Sequence, residues 1–398
     1  MTPLRTLYVS SGGISEPLIR SQVLAYLRGM RPALASCRLV TIERTALSPE
    51  ERVATESELA DAGLDWTPIE PTGRDLLPRP LRTVRDGRRT VRELYENEHY
   101  DLIHARSFLP GQIARSLRRR GVPLLYDMRG LWVREKIDKG SLRPGFVARR
   151  LQAAEDRLFH DSDRLISLTH TGVKWLHLQG VRTPVDVIPC CVDTEHFRPA
   201  DGPRSDGPLR LISIGSLGRG YLPTAVFGVF RAALRADPDS TLHLVTRTDR
   251  EVIDAAARRA GVEPDVFARL IRVESLHPRQ VPAAIRAADV GLCMIDPTPA
   301  KVASSPTKLA EYLACGLPVI ASAGCGDVDA ILADRRLGAI VATDDRSTDG
   351  AAIEHACSLA RAADTRAHCR QAAIDAFSLE VGVGRYLDAY SKVLGRAK

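Results

Sequence analysis

Aromatic residues make up only 5% of this 398-residue chain, which also lacks Cys-x-x-Cys pairs and long apolar runs. Scarce aromatic rings argue against a nucleic-acid surface built on stacked bases. The eight cysteines show no metal-ligand spacing with histidine, so we expect reduced, buried thiols and no metal. The spacing of Gly215 and Gly218 is not the GxGxxG fingerprint of a dinucleotide site and the chain has no P-loop, so we expect no cofactor either. No window approaches the roughly 18 apolar residues that span a bilayer, and the first residues lack the apolar core of a signal peptide. These absences favour a cytoplasmic protein.

Positive charge is the main bias of the composition. The net charge is +7, and much of the excess lies in the first half of the chain. Arginines are frequent from Arg74 to Arg92 and again at Arg115, Arg118, Arg119, Arg120, Arg149 and Arg150. One interpretation is a set of solvated helix faces. The other is a surface that meets anionic lipid headgroups or a phosphate-bearing acceptor, which leaves peripheral contact with the inner face of the cytoplasmic membrane open.

The order of apolar segments predicts two domains of α/β class. Short apolar runs, such as residues 4–10 and 209–214, alternate with helical patterns, and this alternation is typical of parallel βαβ units. A stretch rich in proline, glycine and charge interrupts the alternation. The predicted organisation is an N-terminal domain at 1–192, a linker at 193–208, a C-terminal domain at 209–375 and a terminal helix at 376–398. Two doubly wound, Rossmann-like domains facing each other across a cleft would bind ligands at the carboxyl ends of their strands.

The segment at residues 304–318 carries the strongest chemical signal. Ser304 or Ser305 is a suitable N-cap and Pro306 suits the first helical turn, so we expect a helix to begin here. Backbone N–H groups and the positive dipole at such a helix N-terminus suit a diphosphate, and Lys308 adds a full charge. An ordinary capped helix would explain the cap but not this lysine on an otherwise apolar helix.

The same segment resembles the signature of the retaining glycosyltransferases of GT-B fold known as family 4. In that family a helix that carries a glutamate is followed by a small residue, Gly, Pro and a short strand, and the glutamate binds the ribose of the donor. Glu311 stands at this position. A second family glutamate, eight residues earlier, is replaced here by Ala303, and the segment is similar to a variant with Ser-Pro-x-Lys before the glutamate. The resemblance implies a nucleoside-diphosphate sugar as donor.

Two loops with glycines complete the predicted donor side. Residues 212–219 resemble the first strand and loop of the family's second domain, where basic side chains hold the diphosphate; this implies that role for Arg219. Gly12 and Gly13 follow the first predicted strand, where glycines let a ligand approach the backbone, although a tight turn explains them equally well. The candidate donor-binding residues are Glu311, Ser304, Ser305, Pro306, Thr307, Gly215, Gly12 and Gly13, and Lys308 and Arg219 are the candidate catalytic cations.

Charged residues also end two predicted strands of the first domain. His104 and Arg106 close one strand, and Asp127 and Arg129 end another, followed by Glu135. Carboxyl ends of parallel strands form the ligand edge of such sheets. The family resemblance implies that this edge holds the acceptor. Asp127 is the candidate catalytic residue on that side, and the other four are candidates for acceptor binding.

The resemblance implies a metal-independent, retaining glycosyltransferase that serves polysaccharide or other cell-envelope assembly, with a glycan or lipid-linked saccharide as acceptor. An Asp-x-Asp triplet at residues 327–329 mimics a metal motif, but a helix N-cap explains it. Two alternatives stay open. One is a sugar-nucleotide 2-epimerase of the same fold, and the other is a degenerate, non-catalytic binding subunit, which the loss of the glutamate at Ala303 makes conceivable.

Overall fold

The chain folds into two units, each with its own parallel sheet. A computed structural model describes residues 4–71, 78–201, 207–341 and 350–395. One unit comprises Met1–Pro189 with Leu379–Lys398, and the other comprises Cys190–Ser378. The α/β class and the two Rossmann-like sheets predicted from the sequence are confirmed. Arg74 of the first arginine cluster and residues 202–206 of the predicted linker lie outside the described residues.

The first unit is built on seven strands, β1 Leu4–Ser11, β2 Leu34–Ile42, β3 Asp65–Ile69, β4 Leu102–Arg106, β5 Leu124–Asp127, β6 Arg164–Ser167 and β7 Val185–Val187. They form a parallel sheet in the order β3-β2-β1-β4-β5-β6-β7. The strand order reverses between β1 and β4, which is where open α/β sheets bind ligands. Buried side chains on both faces of β1 and β4 are typical of a sheet covered by helices on each side.

In the described residues before the second unit begins, the α-helices of the first unit are α1 Pro17–Ile19, α2 Ala25–Met30, α3 Pro49–Asp61, α4 Arg79–Asn97, α5 Phe108–Arg118, α6 Trp132–Asp138, α7 Phe146–Asp161 and α8 His170–Leu178. The sequence predicts one helix over residues 16–30, whereas a π-helical turn, Arg20–Leu24, separates α1 from α2. A hydrophobic period near 3.6 cannot reveal such a local i→i+5 turn. The short β3 and α6 were not predicted.

The second unit contains six strands, β8 Arg210–Ile214, β9 Thr241–Val245, β10 Ile271–Glu274, β11 Val290–Cys293, β12 Val319–Ser322 and β13 Gly338–Val341. Their order is β10-β9-β8-β11-β12-β13, all parallel. The helices are α9 Pro223–Ala236, α10 Arg250–Arg259, α11 Pro264–Leu270, α12 Val281–Arg286, α13 Thr307–Ala314, α14 Val328–Leu332, α15 Gly350–Arg361 and α16 Thr365–Phe377. The apolar run at residues 268–273 predicts a strand over its whole length. This prediction was wrong in its first half, because α11 begins with Pro264 at its first position and runs to Leu270.

The last helix, α17 Leu379–Val393, belongs to the first unit and packs on α2. A Cβ on Gly29 of α2 would lie 2.6 Å from Val383 Cγ2, so the glycine permits this close approach. Tyr386 and Tyr390 of α17 are buried among the strands of the first sheet. None of the described helices is long and apolar enough to cross a membrane.

Candidate active site

The N-terminus of α13 is open to a ligand. Pro306 occupies the N-cap position, and no side-chain cap is formed on this helix. The prediction that Ser304 or Ser305 caps it was therefore wrong. Ser305 Oγ instead accepts a hydrogen bond from the Cys190 N–H at 3.2 Å, while Ser304 and Thr307 are half-buried beside it. The Leu309 N–H donates to the Pro306 carbonyl at 3.1 Å. Among the described residues, no side chain accepts a hydrogen bond from the N–H groups of Thr307 and Lys308, so these two are left for a ligand, and an anion fits them best.

Lys308 lies on the first turn of α13 and is only 9% exposed. Its Nζ lies 4.8 Å from the centre of the Tyr221 ring, and a Cβ on Gly215 would lie 3.8 Å from the same Nζ. Burial lowers the pKa of Lys308, while Cys293 and Glu311 act to raise it. An ammonium group with so little water around it gains from an anionic ligand that replaces the lost solvation.

Glu311 follows Lys308 at the i+3 position, so the two charges share one face of the helix. The carboxyl group is half-buried. Burial raises the pKa of Glu311 to about 7, and Lys308 acts in the opposite direction. The helix thus brings together a cation, a carboxyl group that titrates near neutral pH and free N–H groups.

The loop after β8 forms the other side of this site. Gly215 has φ +88°, a conformation that L side chains rarely adopt, and it is exposed. The loop is fixed by a hydrogen bond from Leu217 N–H to Thr248 Oγ1 at 2.9 Å and by a bridge between Tyr221 and Ile295. Arg219 lies exposed in this fixed loop, two residues before the ring that contacts Lys308.

Tyr312, which the sequence analysis missed, supports the site from below. Its hydroxyl accepts a hydrogen bond from Ile214 N–H at 2.9 Å and donates one to the Leu292 carbonyl at 3.3 Å. It therefore joins β8 to β11 just before the loop that follows β8. Gly291 makes this possible, because a Cβ there would lie 2.4 Å from the tyrosine ring. The sequence offered only one indication of this role, which is that Tyr312 follows Glu311 on the same helix. Successive helix residues point in different directions, so Tyr312 contacts the sheet and not the ligand side.

Asp127 of the first unit is fully buried in a cluster of cations. Its Oδ2 accepts hydrogen bonds from the Tyr386 hydroxyl at 2.9 Å and from Arg106 Nη1 at 3.1 Å. His104 Nε2 lies 3.6 Å from Oδ2, and Arg129 Nη1 lies 3.7 Å from Oδ1. Burial alone would raise the pKa of Asp127, but Arg129, His104 and Arg106 together hold it well below its ordinary value. This environment fits a carboxylate that orients other side chains better than one that exchanges a proton with substrate.

The rest of the predicted acceptor group separates into buried and accessible members. His104 is fully buried, its Nδ1 lies 2.8 Å from the Tyr390 hydroxyl, and burial lowers its pKa. Arg129 has φ +53° and a side chain that is 11% exposed. Non-glycine residues with positive φ are uncommon and cluster at functional sites. Glu135, on α6, is half-buried and pairs with Lys139 at 3.1 Å.

Two carboxylates hold the loop at Gly12 and Gly13. The Gly13 N–H donates to Glu16 Oε1 at 3.0 Å, and the Ile14 N–H donates to the Glu43 carboxylate at 3.2 Å. A Cβ on Gly13 would lie 2.5 Å from Glu43 Oε2. Arg44 Nε lies 2.8 Å from Glu16 Oε1, so the loop carries charges of both signs. A sugar hydroxyl, which can donate to a carboxylate, suits such a loop.

Among the described residues, no group of three or more His, Cys, Asp or Glu side chains could hold a metal ion. In the Asp-x-Asp triplet, Asp327 is the N-cap residue of α14, and Asp329 Oδ2 accepts the Gly324 N–H at 2.8 Å. Metal independence stays a prediction.

Comparison with known proteins shows the family and the fold. Residues 19–191 match the family described as glycosyl transferase 4-like domain, and residues 214–358 match glycosyl transferases group 1. The chain belongs to the family 4-like glycosyltransferases of GT-B fold. Its fold is similar to that of sucrose-phosphate synthase from Thermosynechococcus elongatus, with a TM-score of 0.72, 16% identity and 98% and 99% of the two chains covered. Anabaena HepE in complex with UDP has a TM-score of 0.69 and 13% identity over 98% of this chain and 100% of that one.

The chain is also similar in sequence to individual members of this family. The chain is 30% identical over 267 residues to D-inositol 3-phosphate glycosyltransferase from Nocardiopsis dassonvillei. That match spans 62% of this chain and 59% of the relative. The resemblance read from residues 304–318 is thereby confirmed at the level of family and fold.

Proposed function

We propose that the chain transfers a sugar from a nucleoside-diphosphate sugar to a hydroxyl acceptor, with retention of configuration and without a metal ion. The N-terminus of α13 carries this proposal, because it combines uncapped N–H groups with Lys308 and Glu311. The N–H groups and Lys308 bind the diphosphate, and Glu311 accepts hydrogen bonds from the ribose. UDP is the first nucleotide to test, since it is the one named with Anabaena HepE.

In the proposed reaction the bond between the anomeric carbon and the diphosphate oxygen breaks while the acceptor oxygen attacks the same face. The proton of the acceptor hydroxyl passes to an oxygen of the departing diphosphate, so no side chain need act as nucleophile. The task of the protein is to stabilise the charge that develops on the diphosphate. In this proposal Lys308, the N–H groups of α13 and Arg219, all of the second unit, stabilise that charge.

The acceptor is proposed to bind to the first unit and to carry negative charge. Arg106 and Arg129 both lie against the carboxylate of Asp127 at the ends of β4 and β5, with Nη1 atoms 3.1 Å and 3.7 Å from its oxygens. A phosphate-bearing polyol suits such a cluster, as does the anionic end of a lipid-linked saccharide of the cell envelope. The first possibility also agrees with the name of the Nocardiopsis relative. Contact with the inner face of the cytoplasmic membrane belongs to this proposal.

Thermal unfolding with a panel of UDP-, GDP-, dTDP- and CMP-sugars tests the donor site. A donor at about 100 times its Kd should stabilise a unit of this size by roughly 5–10 °C. Lys308→Met and Glu311→Gln should each reduce that shift, whereas exposed Lys174→Met and Glu354→Gln are matched controls that should retain it. If no nucleotide sugar stabilises the chain, or if the two site variants respond like the controls, the donor site is wrong.

Incubation of the best donor with inositol phosphate and with inositol then tests the acceptor. A glycoside formed faster from the phosphate supports the anionic acceptor, and equal rates contradict it. A new sugar nucleotide formed from donor alone would instead identify an epimerase.

A further inference from the structure

Two large apolar side chains are exposed to solvent at the start of α7. Phe146 is 63% exposed and Val147 is 61% exposed, although both begin a helix whose next residue, Ala148, is buried. They are the only adjacent pair among the large hydrophobic residues exposed in the described parts of the chain. Isolated exposed apolar residues are normal, whereas an adjacent Phe-Val pair at a helix end is a feature to explain.

Arginines surround this pair. Arg143, Arg149 and Arg150 are exposed, and none of them forms an ion pair with another described residue. The Arg150 guanidinium lies 4.8 Å from the centre of the Phe146 ring. We call residues 142–150 the α7 tip; within it there is no acidic residue.

The acidic residues closest in sequence are held by other groups. On α6, Glu135 pairs with Lys139 at 3.1 Å and Asp138 pairs with Arg134 at 3.4 Å. On α7, Glu155 accepts a hydrogen bond from the Trp132 N–H at 2.8 Å, and Asp156 accepts one from Gln152 Nε2 at 2.9 Å. The positive charge of the α7 tip is therefore left without an internal partner. A Cβ on Gly145 would meet no atom within 4 Å, so the backbone before the pair is open to solvent.

Other arginine-rich surfaces of the first unit differ from the α7 tip. Arg115 and Arg118 of α5 form ion pairs with Asp161 and Asp163, and Arg120 pairs with Glu96. These arginines lack an exposed aromatic neighbour. On α4, where Arg92 is exposed and forms no ion pair with another described residue, the one exposed large apolar side chain is Leu81, at 57%. Among the described arginine clusters, the α7 tip alone joins cations without an ion pair to an adjacent pair of exposed apolar side chains.

We propose that the α7 tip docks on an anionic lipid surface, with Phe146 and Val147 inserted at the level of the headgroups. Arg143, Arg149 and Arg150 would then bind lipid phosphates, and the apolar pair would leave water. A protein partner is disfavoured because a stable protein–protein interface buries on the order of 1,000 Å² or more, which two side chains at an open helix end cannot supply. Peripheral attachment to a membrane needs only a few basic and apolar contacts.

Vesicle sedimentation of the full chain tests the proposal without donor or acceptor, so its outcome is independent of the proposed transfer reaction. The chain should bind vesicles that contain about a third phosphatidylglycerol and should not bind phosphatidylcholine alone. Phe146→Ser/Val147→Ser should weaken binding at least about tenfold. Arg149→Gln/Arg150→Gln should weaken it roughly 25-fold, at about fivefold for each charge.

Matched controls separate the α7 tip from general charge and hydrophobicity. Val53→Ser/Leu178→Ser removes two apolar residues that are 65% and 83% exposed, and Arg258→Gln/Arg259→Gln removes two adjacent exposed arginines of α10. Both control variants should bind vesicles like the unmodified chain. If they lose as much affinity as the tip variants, or if the unmodified chain does not bind anionic vesicles, the proposal is overturned.

A fluorescent label at Val147→Cys reports insertion directly. The eight native cysteines are all buried, so an environment-sensitive maleimide should react with the new thiol. Its emission should shift to the blue with anionic vesicles and stay unchanged with phosphatidylcholine. Binding without any blue shift would show that the α7 tip remains in water, and this would contradict the proposal even if the chain sediments. Dimerisation of the chain that the Phe146→Ser/Val147→Ser variant abolishes would also contradict it, since a second copy would then cover the pair.

Discussion

Donor binding should depend on pH through Glu311. The proposed contact with ribose requires an ionised carboxylate, because only the ionised form accepts hydrogen bonds at both oxygens. Burial raises the pKa of Glu311 to about 7, so half of the free protein carries a neutral carboxylic acid there at neutral pH. The folded, unliganded chain holds this proton more tightly than an ordinary glutamate, and donor binding must release it. Affinity is therefore lost as the pH falls through about 7.

The size of the effect follows from the pKa alone. The apparent Kd is multiplied by 1 + 10^(pKa − pH), which is about 1.1 one pH unit above the pKa and about 11 one unit below it. The donor should thus bind roughly tenfold more weakly at about pH 6 than at about pH 8. Lys308→Met removes the charge that opposes the shift, so the midpoint should move to higher pH as well as the affinity falling. Glu311→Gln should bind more weakly above about pH 7, approach the unmodified chain at lower pH, where that chain carries a neutral carboxylic acid, and show no such midpoint.

Isothermal titration of the chosen nucleotide sugar at a series of pH values measures this directly. A nucleotide sugar is preferable to a free nucleoside diphosphate, since its doubly esterified diphosphate has no proton to lose in this range. Affinity that is constant across the range, or that rises as the pH falls, would refute the assignment of Glu311 to the ribose. A profile that Glu311→Gln reproduces would show that another group titrates.

Three further predictions follow from side-chain contacts within the individual units. Tyr221→Leu should reduce turnover about fivefold to tenfold in a steady-state assay, because the ring that holds the Lys308 ammonium is lost, whereas Tyr221→Phe should stay near the unmodified rate. Burial raises the pKa of Glu155 to about 7, so stability relative to Glu155→Gln should fall by up to about 3 kcal/mol as the pH rises from about 4.5 to about 7 and then level off in urea unfolding. Gly291→Ala should cost about 1–3 kcal/mol in the same measurement, because its Cβ would overlap the Tyr312 ring; an unchanged midpoint would contradict that packing.

Strands that are continuous apolar runs were predictable from the sequence, and so was the class of fold. The strands at residues 4–10 and 209–214 are continuous apolar runs, and both are central strands of their sheets. The predicted strand at residues 268–273 failed in its first half because a short apolar run is compatible with the end of a helix as well as with a strand. The prediction of one continuous helix over residues 16–30 failed for a different reason. The hydrogen bonds of the π-helical turn Arg20–Leu24 leave no distinct pattern in the sequence.

The donor side was partly predictable because its residues are close in sequence. Lys308 and Glu311 are one helical turn apart, so a helix brings them together without help from the rest of the fold. The contact of Lys308 with Tyr221 joins residues 87 positions apart and depends on how β8 pairs with β11. The buried pairing of Asp127 with Tyr386 spans 259 positions and arises only when α17 packs on the first sheet. Contacts of this kind are set by tertiary packing, and a single sequence carries no local signal for them.

At position 303 the structure explains a substitution that the sequence only records. Ala303 stands where the family signature has a glutamate that contacts the donor sugar, and the sequence alone reads as the loss of one side chain. In the structure Ala303 ends a 3-10 helix, Pro299–Ala303, and is fully buried. A glutamate here would have to place an unpaired charge in the core, at a cost of several kcal/mol, or remain protonated. With this position turned inward, the proposed reaction needs its contacts with the transferred sugar to come from other side chains. Ser304 and Thr307 are half-buried beside the open end of α13, and their hydroxyl groups are the side chains best placed to take over that role.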